Sequence, residues 1–234
     1  MSQLPGNSTQ EFLGLGFYSV ADASRLLRMP VRNIRRWLAG YEYTRDGESH
    51  QMPALWAPDL PRVDDHIELS FRDVIELRFV NAFVGAGVGL LAIRNCLNYA
   101  REVVGNDRPF STSKFRTDGR TIFLESAGGD EAKLLDLKRH QFTFKTVVER
   151  TFKDLDLEND EVARWRPFRG RASIVVDPER AFGQPIAAKS GVPTVALAES
   201  VEAEGAVERT SVIYDIPVSV VRDAVRFEQE LRAA

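Results

Sequence analysis

Residues 19–38 predict two short helices joined by a tight turn. Ser19 with Asp22 three residues later is a capping box, a pattern that begins a helix by satisfying its first backbone N–H groups. Pro30 suits the start of a second helix, because its ring presets φ and its missing N–H would lack a partner there. In that second helix the apolar residues recur at i, i+3 and i+7, which leaves an opposite side of Arg32, Asn33, Arg35 and Arg36. This arrangement is typical of a helix-turn-helix whose second helix lies in a DNA groove.

The local charge supports the same interpretation. Five arginines and one acid lie between Val20 and Leu38, whereas the whole chain has a net charge of −3. Positive charge concentrated on one element is expected where that element meets phosphates, since each contact releases counterions. We therefore predict that the polar side of the second helix contacts operator DNA and that Arg25 and Arg28 contact phosphates. The alternative is a solvated basic face on an ordinary helical hairpin.

Composition excludes several other classes. A chain of 234 residues is long enough for two or three modest domains. It contains one cysteine, Cys96, which excludes an intramolecular disulfide and a multi-cysteine zinc site. No apolar run is long enough for a membrane span, and no P-loop, dinucleotide or nucleophile motif occurs. We expect a cytoplasmic protein that is not an enzyme, with no catalytic residue, no metal and no cofactor.

Residues 14–105 are predicted to form a winged helix-turn-helix domain. Two strands around the turn signal Asp46-Gly47 would make the wing. A third helix is expected to begin after Ser70, and a fourth to begin after the glycine-rich stretch 85–89 and to end at Gly105.

Residues 106–171 are predicted to form a smaller unit of a hairpin, a helix and an arginine-rich linker. The hairpin would place strands on either side of Asp118-Gly119, and the helix would run from about Phe142 to Phe152. Pro167 and Gly170 punctuate the segment that follows, which favours an extended linker or edge strand. That segment combines arginines with aromatic residues: Arg164, Trp165, Arg166, Phe168, Arg169 and Arg171.

Residues 172–234 are predicted to form a C-terminal helical domain entered by a strand at 172–176. Turns are expected at 183–186 and 191–193, followed by helices at about 194–204, 207–214 and from Pro217 onward. Residues 214–218 repeat the helix, short turn, proline, helix pattern of residues 27–31, which indicates a second helix-turn-helix-like module. The charges around this second turn are mixed rather than basic.

The N-terminal third resembles the winged helix-turn-helix of MerR-type regulators. The resemblance depends on residues 18–23, the Pro30 turn, Arg35-Arg36-Trp37-Leu38 and residues 69–74. The long coiled-coil helix and effector-binding cysteine cluster of full MerR proteins do not follow.

The C-terminal part, about residues 172–232, resembles a small domain of VapB-type antitoxins. The matching segments are 177–178, 182–185, 191–194 and 213–228. The resemblance implies a PIN-domain ribonuclease toxin as partner, which the protein would neutralise while repressing their shared promoter. A homodimer or a larger complex with the toxin is expected, because operator half-sites usually mirror protein symmetry.

A nuclease that gathers carboxylates around divalent metal should be met by positive side chains. The predicted toxin contacts are therefore the arginine-rich segment, with Trp165 and Phe168 as anchors, together with Arg222 and Arg226 of the last helix. The alternatives are a linker whose arginines pair with the chain's own acids and a solvated helix face.

These patterns together predict an α+β, mostly helical protein that acts as an antitoxin. One alternative is a stand-alone MerR-like transcription regulator whose C-terminal half dimerises or binds a small effector. Another is an interaction module with no role at DNA.

Overall fold

A computed structural model of the chain describes residues 14–45, 47–126 and 131–233. The fold is α+β and mostly helical, with 55% of residues in helices. In chain order, the described elements are β1 Tyr18–Ser19, α1 Val20–Leu27, α2 Val31–Ala39, β2 Tyr41–Arg45, β3 Glu48–Met52, β4 Glu68–Leu69, α3 Phe71–Gly85, α4 Leu90–Val104, α5 Ser113–Glu125, α6 Glu131–Phe152, β5 Leu155–Glu158, β6 Glu161–Trp165, β7 Ile174–Val176, β8 Pro185–Ala187, α7 Thr194–Glu204, α8 Val207–Tyr214 and α9 Val218–Arg232.

The chain divides into two compact units. The first contains the described residues of Met1–Arg28, Leu60–Phe71 and Ala163–Ala234. The second contains those of Met29–Asp59 and Arg72–Val162. The boundaries between these units divide residues 14–105 at three places, after Arg28, after Asp59 and after Phe71. The three functional domains predicted from the sequence stay a prediction.

The first unit is built on small antiparallel strand pairings and two apolar clusters. Tyr18 of β1 lies opposite Leu69 of β4, and β7 pairs with β8. Helices α7, α8 and α9 enclose a core whose members are each at most 4% exposed: Ala187, Leu197, Ile216, Val221 and Ala224. The second cluster packs α1 against α9 and is formed by Leu26, Phe168, Ile174, Phe227 and Leu231. This cluster fixes the position of α1 within the unit.

The second unit is organised around stacked phenylalanine rings. The ring of Phe144 stacks on Phe83 at 4.3 Å and on Phe123 at 4.0 Å, measured between centroids. Phe79 and Phe110 are fully buried in the same cluster. Since each ring removes a large apolar area from water, this cluster is the main core of α3, α5 and α6.

The structure corrects the predicted hairpin at residues 115–123, which is helix α5. Thr112 caps this helix, with its hydroxyl accepting the Phe115 N–H at 3.2 Å. The buried residues Phe115, Gly119, Ile122 and Phe123 recur at helical rather than alternating spacing. A Cβ on Gly119 would lie 3.3 Å from the Phe115 ring, so this glycine serves close packing. The hairpin predicted from the Asp118-Gly119 turn signal was wrong, because burial in the aromatic core favours a helix with one apolar face at these residues.

Other boundaries also differ from the expectations. The helix predicted from Phe142 begins at Glu131, and the hairpin of β5 and β6 was not predicted. Residues 185–187, expected within a turn, form β8, where Ile186 pairs with Val175. The expected extended segment ends with β6 at Trp165, and residues 167–170 form a turn.

Several predicted elements are confirmed. Helices α7 and α8 match the predicted ranges, and α9 begins directly after Pro217. Strands β2 and β3 form an antiparallel hairpin around residues 46 and 47, although Asp46 itself lies outside the described residues. The role of this hairpin as a DNA-contacting wing stays a prediction. In the described ranges, no helix combines the length and apolarity that a membrane crossing requires.

Candidate DNA- and protein-binding surfaces

Helix α1 begins at the predicted capping box. The Ser19 hydroxyl accepts the Asp22 N–H at 3.1 Å, and the Asp22 carboxylate accepts the Ser19 N–H at 3.2 Å. The helix ends at Arg28, whose left-handed backbone (φ 52°, ψ 46°) stops the helical path. Met29 is 3% exposed, so the turn is held by a buried side chain. The capping box predicted from the sequence is therefore confirmed as the start of α1.

The two arginines of α1 and its turn are exposed and held by carboxylates. Arg25 forms an ion pair with Asp22 at 2.5 Å, and Arg28 forms one with Glu230 of α9 at 2.8 Å. Their side chains remain 60% and 57% exposed. The hydrogen bond from Arg28 is the main cause that lowers the pKa of Glu230, which keeps this carboxylate ionised. Both guanidinium groups are positioned at the surface and accessible to an anion.

Helix α2 separates apolar and cationic residues as the sequence predicts. Its inner face is buried and consists of Ile34, Trp37 and Leu38. Arg32, Arg35 and Arg36 are exposed, and Asn33 is half-buried. The Arg36 guanidinium lies over the Tyr41 ring at 3.8 Å from its centroid, a cation–π contact that orients it. Because α1 and α2 belong to different units, their DNA-binding role as a pair stays a prediction.

The structure corrects the role expected for the aromatic residues of the arginine-rich segment. Trp165 is 5% exposed and ends β6 opposite Val176. Phe168 is 4% exposed, with its ring 5.9 Å from that of Phe227. Both rings belong to the core of the first unit, so neither is an exposed anchor for a partner. The sequence alone does not show whether a Phe or Trp side chain packs inside its own chain or against a partner.

The arginines of this segment divide into two groups. Arg164 and Arg166 are half-buried and take part in contacts within the chain. Arg169 pairs with Glu230 at 2.6 Å and remains 74% exposed, while Arg171 pairs with Asp223 at 2.8 Å and remains 55% exposed. The second group is therefore held at the surface by α9.

Helix α9 carries the two remaining predicted toxin contacts. Arg222 and Arg226 are exposed on the side opposite the buried residues Val221 and Ala224. Arg222 lies 4.0 Å from the Glu208 carboxylate, at the limit of an ion pair. The structure thus brings Arg28, Arg169, Arg171, Arg222 and Arg226 onto one surface around α9. Whether any of these residues contacts a toxin stays a prediction.

A buried polar network in the second unit was not found from the sequence. The Arg108 guanidinium contacts the Asp73 carboxylate at 2.8 Å and the Asp59 carboxylate at 2.7 Å. Asp73 is fully buried and also accepts the Trp56 indole N–H at 2.8 Å. Trp56 and Asp59 are close in sequence, but Asp73 follows Asp59 by 14 residues and Arg108 follows Asp73 by 35, so the four residues form no motif. The network joins the segment after the β2–β3 hairpin to α3.

Glu76 of α3 is fully buried one turn further along the helix. One carboxyl oxygen accepts the Ser111 N–H at 2.9 Å, and the other has no hydrogen-bond partner among the described residues. Burial raises the pKa of Glu76 from 4.5 to about 8, although Ser111 and Arg108 act in the opposite direction. The carboxyl group is therefore neutral in the folded chain below about pH 8.

The part of the chain that the structure describes contains no group of three His, Cys, Asp or Glu residues placed to hold a metal ion. Cys96 is buried, and burial raises the pKa of its thiol. This environment is typical of an inert core cysteine.

Comparison with known proteins connects this chain to an antitoxin. The chain is 28% identical over 222 residues to a Mycobacterium tuberculosis protein named "Putative antitoxin VapB45", covering 89% of this chain and 92% of that protein. This similarity supports an antitoxin role of the VapB type. The crystal structure of Rv2018 from the same organism shares the fold, with a TM-score of 0.67 and 24% identity over 89% of this chain and 96% of that one. No family model matches the chain.

Proposed function

We propose that this protein is the antitoxin of a toxin–antitoxin pair, which neutralises a PIN-type ribonuclease and represses its own operon by binding operator DNA. The observation that carries the proposal is the similarity to a protein named an antitoxin over 89% of the chain. An antitoxin acts by binding, which agrees with a fold whose distinctive surface groups are guanidinium side chains. A toxin partner follows from the antitoxin role, and its PIN-type identity follows from the sequence resemblance.

The DNA-binding part of the proposal depends on α2. Its exposed arginines stand opposite a buried apolar face, so the helix can present cations outward without losing its packing. Arginine forks bind phosphate oxygens and guanine edges, which are the two kinds of contact a recognition helix makes. We assign base or backbone contacts to Arg32, Asn33, Arg35 and Arg36, and phosphate contacts to Arg25 and Arg28.

This assignment is tested by reversing two charges on α2. The variant Arg32→Glu/Arg36→Glu is expected to abolish a salt-sensitive shift of the DNA upstream of the protein's own gene, because it replaces attraction to phosphates by repulsion. Lys145→Glu/Lys153→Glu makes the same charge change at exposed positions elsewhere in the second unit and is the matched control. An unchanged shift with the α2 variant would remove α2 from the DNA interface.

Toxin neutralisation is tested with the nuclease encoded in the adjacent reading frame. Co-expression of the two chains is expected to give a complex that co-purifies and lacks ribonuclease activity. Free nuclease that remains active in the presence of this folded protein would contradict the proposal.

The second candidate is a regulator that binds a small effector, and one observation favours it. A cavity of about 270 Å³ in the first unit is lined by both apolar and charged side chains, including Phe17, Leu26, Arg25 and Glu228. Ligand sites typically combine such an apolar lining with a few polar groups. Rescue from the toxin distinguishes the two candidates, since an effector-binding regulator would give none.

A further inference from the structure

The turn between α8 and α9 has the same backbone geometry as the turn of the predicted helix-turn-helix between α1 and α2. Helices α1 and α8 both end at a left-handed residue, Arg28 (φ 52°, ψ 46°) and Asp215 (φ 51°, ψ 46°). The next residue is buried in each case, with Met29 3% and Ile216 4% exposed. A proline with extended backbone then precedes the second helix, at φ −61° in the first turn and −53° in the second. The two turns therefore have the same construction.

The helix after the second turn presents a similar polar face. Ser219 and Arg222 stand two and five residues after Pro217, as Arg32 and Arg35 stand after Pro30. Ser219, Arg222 and Arg226 are all exposed, at the spacing of one helical face. Helix α9 therefore follows its turn as a recognition helix does, and arginines lie on its exposed face.

Two carboxylates of α9 add further arginines to this face. Glu230 accepts hydrogen bonds from Arg28 at 2.8 Å and Arg169 at 2.6 Å, and Asp223 accepts one from Arg171 at 2.8 Å. The side chains of Glu230 and Asp223 are only 28% and 14% exposed, whereas each arginine they hold is more than half exposed. We call the resulting surface the arginine stripe, which consists of Arg28, Arg169, Arg171, Arg222 and Arg226.

The arginine stripe has the charge and shape of a phosphate-binding surface. Its five guanidinium groups exceed the three carboxylates that pair with them, Glu208, Asp223 and Glu230, by two positive charges. Arg169, Arg171 and Arg226 border an open groove of about 450 Å³ beside α9. Guanidinium forks bind phosphate oxygens in pairs, and such contacts position a protein on a duplex without reading its sequence.

Two observations favour DNA over a protein partner for this stripe. The aromatic rings that would anchor a protein interface, Trp165 and Phe168, are buried in the core. Protein–DNA interfaces are much more positively charged than protein–protein interfaces, which suits a surface made of guanidinium groups. In addition, Arg28, which we assign to a phosphate, shares Glu230 with Arg169. The stripe thus includes a residue that we already assign to a DNA phosphate.

We propose that α9 and the arginine stripe form a second DNA-binding surface, which contacts the phosphate backbone of the operator duplex. The inference extends the proposed DNA binding and rests on it. It assigns to DNA the exposed arginines that the sequence had assigned to the toxin.

The test measures how binding depends on salt. Fluorescence anisotropy with a labelled duplex from upstream of the protein's own gene gives the slope of log Kobs against log salt concentration. The variant Arg222→Gln/Arg226→Gln removes two positive charges at exposed positions of α9. Its slope is expected to be flatter by about 1.8, with affinity at least about tenfold weaker near 0.1 M salt, because each lost phosphate contact changes the slope by ~0.9.

The control variant Lys145→Gln/Lys189→Gln removes the same charge at exposed positions outside the stripe and should keep the wild-type slope. Matching circular dichroism melting curves for all variants establish that they are folded. Arg169→Gln/Arg171→Gln is a second, independent removal of two charges from the stripe and should flatten the slope similarly.

The outcomes separate this inference from the proposed role of α2. A wild-type slope for both stripe variants, with binding abolished by Arg32→Glu/Arg36→Glu, would show that the stripe is not at the duplex and leave α2 in place. A flattened slope for the stripe variants with no effect at α2 would support the stripe and remove α2. Wild-type DNA binding combined with lost toxin co-purification would assign the stripe to the toxin. A wild-type protein that binds no duplex would overturn both assignments.

Discussion

Replacing the buried carboxyl of Glu76 with an amide should change how the stability of this protein depends on pH. Glu76→Gln keeps the side-chain shape, and its amide oxygen can still accept the Ser111 N–H. In the wild type the Ser111 nitrogen lies 2.9 Å from the Glu76 carboxyl oxygen. It removes the only titrating group of the side chain. The variant therefore isolates the proton that the fold holds on Glu76.

The magnitude follows from the raised pKa. Burial raises the pKa of Glu76 from 4.5 to about 8, so between these values the folded chain holds a proton that the unfolded chain releases. The free energy of unfolding must then fall as pH rises through this window and level off above about pH 8. From roughly pH 6 to 8 the wild type should lose ~2 kcal/mol through this group, because the slope is about 1.36 kcal/mol for each pH unit while the folded chain keeps the proton and falls to about half of that at the folded pKa.

Urea unfolding of both proteins at several values between pH 6 and 9 measures this loss. The difference in free energy of unfolding, wild type minus Glu76→Gln, should decrease with pH by ~2 kcal/mol between about pH 6 and 8. Glu149→Gln changes an exposed carboxyl of the same unit, and its difference from wild type should not vary with pH in this range. Parallel stability curves for wild type and Glu76→Gln would refute the assignment of a raised pKa to this carboxyl.

Three further substitutions test contacts inside each of the two units, measured by chemical or thermal unfolding. Arg108→Ala should cost about 3–5 kcal/mol, because it leaves the fully buried Asp73 without its cation; a cost below 1 kcal/mol would show that the pair is not buried in solution. Gly183→Ala should lower the melting temperature markedly, because φ is +81° there and the new Cβ would overlap the Tyr18 hydroxyl; an unchanged melting temperature would contradict that packing. Tyr18→Phe should cost about 1–2 kcal/mol by leaving the buried Gly183 carbonyl without the hydroxyl that bonds it at 2.7 Å, and a neutral effect would contradict the contact.

Elements with local signals could be predicted from the sequence. The capping box at Ser19, the proline starts of α2 and α9 and the glycine end of α4 at Gly105 all depend on residues that are adjacent in the chain. Local chemistry of this kind determines where a helix begins and ends, so the ranges of α7 and α8 could also be predicted closely.

Elements determined by distant contacts could not be predicted. Gly119 follows an aspartate, which is a turn signal, yet its packing against Phe115 places it inside α5. The burial of Phe168 depends on Phe227, and the position of Arg169 depends on Glu230, each about sixty residues away. The exposed face of α2 could be predicted, because the period of its apolar residues is contained in one short segment.

Growth of cells that express the nuclease from the adjacent reading frame is the decisive assay of toxin neutralisation. Co-expression of this chain should restore growth, and the two proteins should then co-purify as a complex without ribonuclease activity. Continued growth arrest in cells that contain this protein in folded, soluble form would contradict it.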